Sequence, residues 1–335
     1  MKRWLLKAGA IDLNGLILED APVPQPGPGQ VRVRVRAVAL NARDLMVISA
    51  PFYRMPGRNL IPVSDGAGEI DAVGAGVTQW SVGDRVTGLF FRNWLSGPPN
   101  ADIGLGLGSL DEDGMLAEFV VLRADRVARV PQSLDDAEAA TLPCAGLTAW
   151  SALDGARPVG AGDQVLVLGT GGVALMALVL AKGRGAKVTV ASSKNDKLER
   201  ARALGADGGV NYADTSEWGQ MVFERTGGVN RVINPVGTSA VNQSLAALVY
   251  GGEVVSMGVF TQNDGFPLQT LMMKTATLRG TMVGGAEMHH ALVREVDANH
   301  VKPPISQHFP FDDAKAAFEA QGSSELFGKI VIDVA

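Results

Sequence analysis

The chain has a single cysteine, Cys144, in 335 residues, which excludes an intrachain disulfide and a cysteine-rich zinc site. It has no basic excess, because 30 lysines and arginines stand against 35 aspartates and glutamates, so neither nucleic acid nor an anionic membrane is an expected partner. The longest uncharged stretch that could suggest a membrane span, residues 165–181, is interrupted by glycines and is shorter than the required ~20 residues. The N-terminus lacks the sustained apolar run of a signal peptide. We therefore expect a soluble protein of a reducing cytoplasm.

The length of the chain favours two domains, at roughly 150 residues per domain. Valines alternate with arginines over residues 31–36, which predicts a strand with one apolar face. Short apolar pieces follow at 68–73, 84–91 and 117–122, each bounded by Gly, Asp or Pro. Such short strands predict an antiparallel, partly open β-barrel.

The segment from residue 92 to residue 114 has no regular pattern. It contains a GLGLG run at 104–108, but these glycines follow no predicted strand and open no predicted helix, so a phosphate-binding loop is not favoured. We predict a mobile surface loop here.

The pattern changes after Pro131. Ser133, Asp135 and Asp136 are typical of a helix N-terminus, and an alanine-rich segment extends the predicted helix to Leu153. Strand and helix patterns then alternate, with strands at 164–168, 187–191, 231–234 and 253–257 and helices at 172–183, 194–204 and 242–249. This alternation predicts a doubly wound parallel sheet with helices on both faces.

Both ends of the chain are expected to complete the first domain, because the mixed pieces after about residue 271 end in an apolar strand at 329–334. We therefore predict an α/β protein in which the parallel-sheet domain, residues 128–267, is inserted into a barrel domain formed by 1–127 and 268–335.

The first strand of the alternating region is followed by the run Gly169-Thr170-Gly171-Gly172-Val173-Ala174, a GxGxxA pattern between a predicted strand and a predicted helix. In dinucleotide-binding folds the first glycine makes the tight turn, and the second lets the backbone approach a pyrophosphate. The helix N-terminus offers free N–H groups to the phosphates. We predict that residues 169–173 bind a nicotinamide dinucleotide; the alternative is a glycine-rich turn without a ligand.

The end of the second strand of this region indicates which nucleotide binds. An NAD site normally has Asp or Glu there for the ribose 2′-hydroxyl, whereas this chain has Ser192, Ser193 and Lys194, with Lys197 one turn later. Hydroxyl and ammonium groups suit a 2′-phosphate. The pattern therefore favours NADP(H) over NAD(H), although Ser193 could also be a simple helix cap.

Five segments carry a resemblance to a known family: GAGE at 66–69, VGDRV at 82–86, LPCAGLTA at 142–149, the GxGxxA run, and FGKIV at 327–331. Together they resemble the medium-chain dehydrogenase/reductases, and within them the zinc-independent quinone oxidoreductase-like branch. The resemblance covers nearly the whole chain. It implies a GroES-like barrel domain with an inserted Rossmann domain, and a homodimer joined through the edge of the Rossmann sheet.

Many members of this family carry zinc, with Cys, His and Cys as catalytic ligands. The matching positions in this chain are Asn41, Ser64 and Cys144, of which only the thiol is a good zinc ligand. The loop that carries four further cysteines in zinc-containing members has none here. We predict that the protein holds no metal.

Without a Lewis acid, hydride transfer is expected to go to acceptors that delocalise charge, such as quinones and enones. The resemblance implies catalytic roles for Asn41 and Asp44 near the nicotinamide, and for Tyr53 as a hydrogen-bond donor or proton relay. The alternatives are that Asn41 and Asp44 only organise a turn and that Tyr53 is an ordinary tyrosine.

Further cofactor contacts are expected on both domains. The resemblance implies contacts with the nicotinamide or its carboxamide for Cys144, Thr148, Thr281, Met282 and Val283, with the adenosine phosphate for Tyr212, and with the cofactor for Lys329. Doubly wound sheets bind ligands at the ends of their strands. We therefore also expect cofactor contacts from residues at two predicted strand ends: Asn234, Val236, Gly258, Val259 and Phe260.

These features predict an NADPH-dependent, zinc-independent oxidoreductase that reduces a quinone or an α,β-unsaturated carbonyl compound, a small-molecule electrophilic substrate. A metal-free alcohol dehydrogenase or ketoreductase is the first alternative. A protein that binds NADPH with little turnover is the second, because the same glycines serve binding and catalysis.

Overall fold

The computed structural model describes residues 1–261 and 265–334 of the chain. Its strands are β1 Lys2–Leu6, β2 Leu16–Asp20, β3 Gln30–Ala39, β4 Asp65–Val73, β5 Arg85–Gly88, β6 Phe119–Arg123, β7 Val127–Arg129, β8 Gln164–Leu168, β9 Lys187–Ser192, β10 Gly208–Asn211, β11 Val229–Asn234, β12 Leu248–Ser256, β13 Thr277–Gly280, β14 Ile305–Pro310 and β15 Lys329–Asp333. Its helices are α1 Ala42–Ser49, α2 Asp136–Ala140, α3 Leu147–Leu153, α4 Gly172–Gly183, α5 Asn195–Ala203, α6 Trp218–Thr226, α7 Val241–Ala247, α8 Leu268–Met273, α9 Ala286–Asn299 and α10 Ala314–Gln321.

The chain forms two compact units. The first comprises Met1–Leu147, Gly284–Ala298 and Ile305–Ala335, and the second comprises Thr148–Val283 and Asn299–Pro304. The predicted division, 128–267 against the rest, differs from this one at both ends. The ion pair of Arg85 with Asp136, at 2.6 Å, holds the start of α2 on the first unit, whereas β13 pairs with β12 in the sheet of the second.

The first unit is built around β3, the strand predicted from alternating valines and arginines. Its valines are buried, and it pairs antiparallel with β4 along its length, with β6 at its start and with β15 at its end. The sheet order is β14-β15-β3-β4-β5-β7, with β6 on β3. Two register shifts against β4 bend β3, which gives the sheet the curvature of a GroES-like barrel.

The GLGLG run is not the surface loop that the sequence predicted. Leu107 is buried, and Arg43 donates hydrogen bonds to the carbonyl oxygens of Leu105 and Leu107 at 3.2 and 2.9 Å. Gly106 has φ +92, and a Cβ there would lie 2.4 Å from the ring of Phe90. The glycines therefore allow close packing against the barrel, a role that glycine frequency alone does not distinguish from a loop.

The predicted helix from Asp135 to Leu153 is divided into three parts. α2 begins at the Asp135 cap, whose side chain accepts from the N–H of Glu138, and ends after Ala140. A π-helical turn, Leu142–Gly146, separates it from α3. Pro143 lies in this turn, and because proline removes a backbone donor it interrupts a regular α-helix.

The second unit contains the predicted parallel sheet, in the order β10-β9-β8-β11-β12-β13. Successive strands run outward from β8 in one direction and from β11 in the other, so the topological switch point lies between β8 and β11. β8 and α4 have the predicted bounds; β10 and β13 were not predicted because they are short and contain few apolar residues. Within the described residues, no helix is both long and apolar enough to span a bilayer.

His289, on α9, is a buried histidine of the first unit. Its Nε2 lies 3.3 Å from Oγ1 of Thr87, and its Nδ1 has no hydrogen-bond partner among the described residues. Burial, with a smaller contribution from the charge of His290, lowers the pKa of His289 from 6.5 to about 3. Between these two values the unfolded chain binds a proton that the folded chain does not bind, so the fold loses stability as the pH falls.

We expect His289→Gln to reduce this pH dependence. In the wild type, His289 should contribute a slope of about 1.4 kcal/mol in unfolding free energy per pH unit, within the window from about 6.5 down to about 3. Urea unfolding at several pH values from 6.5 to 4.5 measures the slope. The matched control is His308→Gln, because His308 is half-exposed beside Asp333. Equal slopes for the wild type and His289→Gln would contradict the assignment.

Candidate functional site

The ends of several chain segments bring polar side chains together inside the first unit. Asn41 follows β3 and caps α1, Asp65 opens β4, Lys329 opens β15, and Cys144 lies in the π-helical turn. Asp44 and Asp65 are fully buried, and Lys329 is 2% exposed. We call Asn41, Asp44, Ser64, Asp65, Cys144 and Lys329 the buried polar cluster.

Lys329 provides a fixed ammonium group in this cluster. Its Nζ donates a hydrogen bond to the carbonyl oxygen of Leu40 at 2.5 Å and another to Oδ1 of Asn41 at 2.6 Å. Because an ammonium only donates, these bonds fix which end of the Asn41 amide is the oxygen. The sequence predicted cofactor contact for Lys329; the structure gives its Nζ these two protein partners.

The remaining donors of Asn41 also lie against protein groups. Nδ2 donates to the carbonyl oxygen of Ala39 at 3.4 Å, and the side chain also opposes the rise in the pKa of Asp65. The catalytic role predicted for Asn41 stays a prediction. Its observed contacts give it an orienting function inside the cluster.

Asp44 stabilises the start of α1. Its Oδ2 accepts from the N–H of Asn41 at 2.8 Å, while Oδ1 accepts from Arg43 at 3.1 Å and from the N–H of Ser64 at 3.4 Å. A carboxylate at the third helical position satisfies a backbone N–H that would otherwise be unpaired. These contacts agree with the alternative raised from the sequence, in which Asn41 and Asp44 organise a turn.

Asp65 joins two segments through its two carboxylate oxygens. Oδ1 accepts from the hydroxyl of Ser64 at 2.7 Å, and Oδ2 accepts from the backbone N–H of Cys144 at 3.1 Å. Burial raises the pKa of Asp65, and the ammonium of Lys329 opposes that rise. Burial likewise lowers the pKa of Lys329, and the charge of Asp65 opposes that change. Each group therefore favours the charged form of the other.

The family to which the motifs point includes zinc enzymes, which bind Zn²⁺ through thiolate and imidazole ligands. Asn41, Ser64 and Cys144 do come together in the cluster, but the first two offer an amide and a hydroxyl in place of imidazole and thiolate. Desolvation and the neighbouring Asp65 raise the pKa of the Cys144 thiol, which disfavours the thiolate that binds metal. The ammonium of Lys329 lies against Asn41. These residues do not fit a zinc ion.

Tyr53 ends a short 3-10 turn, Pro51–Tyr53, in the first unit. Its ring lies 4.0 Å from that of Phe52 and packs partly on the core. Across residues 1–261 and 265–334, its hydroxyl has no hydrogen-bond partner. This hydroxyl can therefore donate to a bound molecule.

The GxGxxA run of the second unit has the geometry of a phosphate cradle. Gly169 has φ +84, a conformation that side chains disfavour, and Gly171 is the N-cap of α4 with no side-chain capping bond. A Cβ placed on either glycine would meet no atom within 4 Å, so the space in front of both is open. A helix N-terminus of this kind binds anions, and the residues therefore fit a dinucleotide pyrophosphate.

The predicted 2′-phosphate residues lie together at the ends of β9 and β10. The N–H of Tyr212 donates to the carbonyl oxygen of Ser192 at 3.0 Å, which places the two strand ends side by side. The hydroxyl of Ser192 accepts from the N–H of Lys194 at 3.3 Å, Ser193 is exposed, and Lys197 is buried. No carboxylate occupies the end of β9.

The other predicted cofactor residues have identifiable local roles. Asn234 accepts from the N–H groups of Val236 and Gly237 at 3.0 and 3.1 Å, so it shapes the turn after β11. The hydroxyl of Thr281 lies 2.8 Å from that of Ser151. The remaining members differ in exposure: Thr148 and Thr170 are buried, while Val259, Phe260 and Met282 are more than half exposed. Val283 has φ +32, a strained value for a β-branched residue.

The first unit has a GroES-like fold and the second has a Rossmann-like parallel sheet, and comparisons with known proteins agree with this fold. Residues 27–132 match the family "Alcohol dehydrogenase GroES-like domain", and residues 172–298 match "Zinc-binding dehydrogenase". A zinc-type alcohol dehydrogenase-like protein of Schizosaccharomyces pombe is 37% identical over 308 residues, covering 89% of each chain. The chain belongs to the medium-chain dehydrogenase/reductase superfamily, which confirms the predicted family and fold class.

Solved structures of high similarity also have this fold. A candidate alcohol dehydrogenase from Sinorhizobium meliloti 1021 has a TM-score of 0.91 and 37% identity, covering 99% of each chain. An NAD-dependent alcohol dehydrogenase has a TM-score of 0.87 and 31% identity, covering both chains completely.

Sequence reasoning missed Asp65 and Arg43 as members of the site, and it missed the buried position of Lys329. For Asp65 and Lys329, the sequence did contain a signal of a buried position. Asp65 is the first residue of β4 and Lys329 is the first residue of β15, and each directly precedes small or apolar residues of its strand. Charged residues at such positions need buried partners, and each is the other's electrostatic partner.

Proposed function

We propose that this oxidoreductase uses NADPH to reduce a quinone or an α,β-unsaturated carbonyl compound without zinc. One observation carries the proposal: the three positions that would bind catalytic zinc hold an amide, a hydroxyl and a neutral thiol, with the ammonium of Lys329 beside the amide. A simple ketone needs a Lewis acid or a strong donor for its developing alkoxide. Quinones and enones delocalise that charge, so hydrogen bonds suffice.

In this proposal the second unit holds NADP(H), which supplies the hydride. The backbone at residues 169–173 binds the pyrophosphate, and Ser192, Ser193, Lys197 and Tyr212 surround the 2′-phosphate. The support is the open space before Gly169 and Gly171 and the lack of a carboxylate at the end of β9.

Tyr53 is the proposed donor to the substrate oxygen, or the group that passes a proton to it. Its support is the unbonded hydroxyl on a ring that is anchored by Phe52 and by the core. Asn41 and Asp44 are proposed to act within the buried polar cluster, where Asn41 orients its neighbours and Asp44 stabilises the start of α1.

A second candidate function is a metal-free alcohol dehydrogenase or ketoreductase, which the names of the similar proteins favour. Low-turnover NADPH binding is the third.

We also propose a homodimer joined at β13, because this strand is an edge of the six-stranded sheet and Met272 and Met273, just before it, are exposed.

A substrate screen tests the proposed function. Following NADPH oxidation at 340 nm, we expect turnover of quinones or enones to exceed that of unactivated ketones by about tenfold or more, since only the former spread the developing charge. A chelator should leave the rate unchanged. Faster turnover of ketones or alcohols would favour the second candidate, and no turnover with any acceptor would favour the third.

Ser193→Asp tests the choice of cofactor. A carboxylate at this exposed position should repel the 2′-phosphate and accept a hydrogen bond from a free 2′-hydroxyl, which would reverse a preference for NADPH over NADH by about tenfold or more. Titration of cofactor fluorescence measures both dissociation constants. Ser216→Asp, an exposed serine of the same unit, is the control. Equal wild-type affinities for the two cofactors would contradict the assignment.

Tyr53→Phe tests the donor at the substrate. Loss of the hydroxyl should slow hydride transfer on the order of 10²-fold if it is the main stabilising donor. NADPH affinity should be unchanged, because the phosphate-binding residues lie in the second unit. Single-turnover NADPH oxidation isolates the hydride step. Tyr250→Phe, which changes an exposed tyrosine on β12, is the control. A wild-type rate in Tyr53→Phe would remove Tyr53 from the catalytic residues.

A further inference from the structure

We propose that residues 109–113, which we call the acidic turn, fix the position of Tyr53 in the first unit. The turn contacts the backbone of Tyr53, and three arginines from other segments of the chain hold the turn in place. Its members are positioning residues, because they act through Tyr53. Their expected effect on turnover rests on the proposed function, in which Tyr53 donates to the substrate, whereas their effect on the position of Tyr53 does not.

The backbone of Tyr53 is held by one local hydrogen bond and one from the acidic turn. Its N–H donates to the carbonyl oxygen of Ala50 at 3.2 Å, at the start of the same 3-10 turn. Its carbonyl oxygen accepts from the N–H of Leu110 at 2.6 Å, and Arg54 forms an isolated parallel β-bridge with Leu110. The acidic turn therefore provides a long-range contact for a segment that has few local bonds.

The acidic turn has a strained backbone. It is closed by a hydrogen bond from the N–H of Glu112 to the carbonyl oxygen of Ser109 at 3.1 Å. Leu110, within the turn, has φ +51, a left-handed value that residues other than glycine disfavour. Such a conformation persists where the surrounding contacts enforce it. Contacts that hold the turn closed therefore also hold the N–H of Leu110 against Tyr53.

The central ion pair of the acidic turn, Glu112 with Arg126, is largely shielded from water. Oε1 of Glu112 lies 2.7 Å from Nη1 of Arg126, and the two side chains are 21% and 3% exposed. Arg126 also donates to the carbonyl oxygen of Leu89 at 3.1 Å, so it connects the turn to the residue that follows β5. This pair should hold the turn more firmly than a surface ion pair, because water and salt screen it less.

Two more exposed ion pairs flank the central one. Oδ1 of Asp111 lies 2.6 Å from Nη2 of Arg92, and Oδ1 of Asp113 lies 3.1 Å from Nη2 of Arg58. The carboxylate of Asp113 also accepts from the N–H of Ile61 at 3.0 Å. Three consecutive carboxylates are thus paired with arginines from three separate segments. This arrangement restrains the turn from several directions.

Fluorine NMR tests the position of Tyr53 directly, because the sequence has only three tyrosines, Tyr53, Tyr212 and Tyr250. The protein is labelled with 3-fluorotyrosine, and Tyr53→Phe identifies the resonance. Asp111→Asn with Glu112→Gln removes two charges from the acidic turn with little change in shape; we call this double variant the turn variant. We expect it to move the Tyr53 resonance toward that of free 3-fluorotyrosine, while the other two resonances stay in place.

Asp71→Asn is the matched control. Asp71 lies 2.8 Å from Arg32, and their side chains are 16% and 14% exposed, close to the exposure of Glu112. This pair joins β4 to β3 in the same unit, so the control should leave the Tyr53 resonance at its wild-type position. If the turn variant does not fold, Asp111→Asn alone replaces it, because Asp111 is 51% exposed; a smaller displacement of the resonance is then expected.

A double-mutant cycle tests whether the acidic turn affects turnover through Tyr53. Single-turnover oxidation of NADPH by 2-methyl-1,4-naphthoquinone measures the hydride step in the wild type, the turn variant, Tyr53→Phe and their combination. We expect the turn variant to slow this step about tenfold where residue 53 is tyrosine, and not to slow it further where residue 53 is phenylalanine. The dissociation constant of NADPH should be the same in all four proteins.

An unchanged Tyr53 resonance in the turn variant would overturn the proposal. So would an equal loss of rate with tyrosine and with phenylalanine at position 53, because the effect of the turn would then bypass Tyr53. A wild-type rate in Tyr53→Phe would instead contradict the donor role in the proposed function. In that case the fluorine spectrum alone decides whether the acidic turn positions Tyr53.

Discussion

The balance of charge around the ammonium of Lys329 is the constraint on which the first unit depends. Removing a carboxylate or an ammonium from water costs several kcal/mol per ion unless an opposite charge and hydrogen bonds replace the water. Asp44 and Asp65 are fully buried, so both must find such partners within the chain. Arg43 serves Asp44 directly, and Lys329 is the cation that most strongly opposes the pKa rise of Asp65.

This requirement also determines local structure. Because Asp44 accepts from the N–H of Asn41, α1 must begin immediately after β3. Because Asp65 accepts from the N–H of Cys144, the π-helical turn must lie against the start of β4. Removing any one of these partners leaves a buried charge or a buried donor unsatisfied, so the positions of the element ends are coupled to one another.

The fold was predictable because its evidence is periodic and local. Alternating valines gave β3, and the strand, glycine run and helix from 164 to 183 have the predicted bounds. The predictions that were wrong concerned segments whose structure depends on contacts with residues distant in sequence. The glycines at 106 and 108 pack against Phe90 and Val63, and no pattern within 92–114 records those partners. For the candidate site, sequence reasoning named Asn41, Asp44 and Cys144, whose roles stay predictions. It could not show that residue 329 contacts residue 41, since 288 positions separate them.

The two units differ in how their polar groups are satisfied. In the buried polar cluster, side chains satisfy one another, as is normal for a protein interior. At the start of α4, by contrast, no side chain caps the helix and two glycines face open space. A helix N-terminus carries partial positive charge, so a group that completes it is an anion. The positive end of α4 thus has no compensating side chain at its cap, whereas the buried carboxylates of the first unit have cations of the same chain beside them.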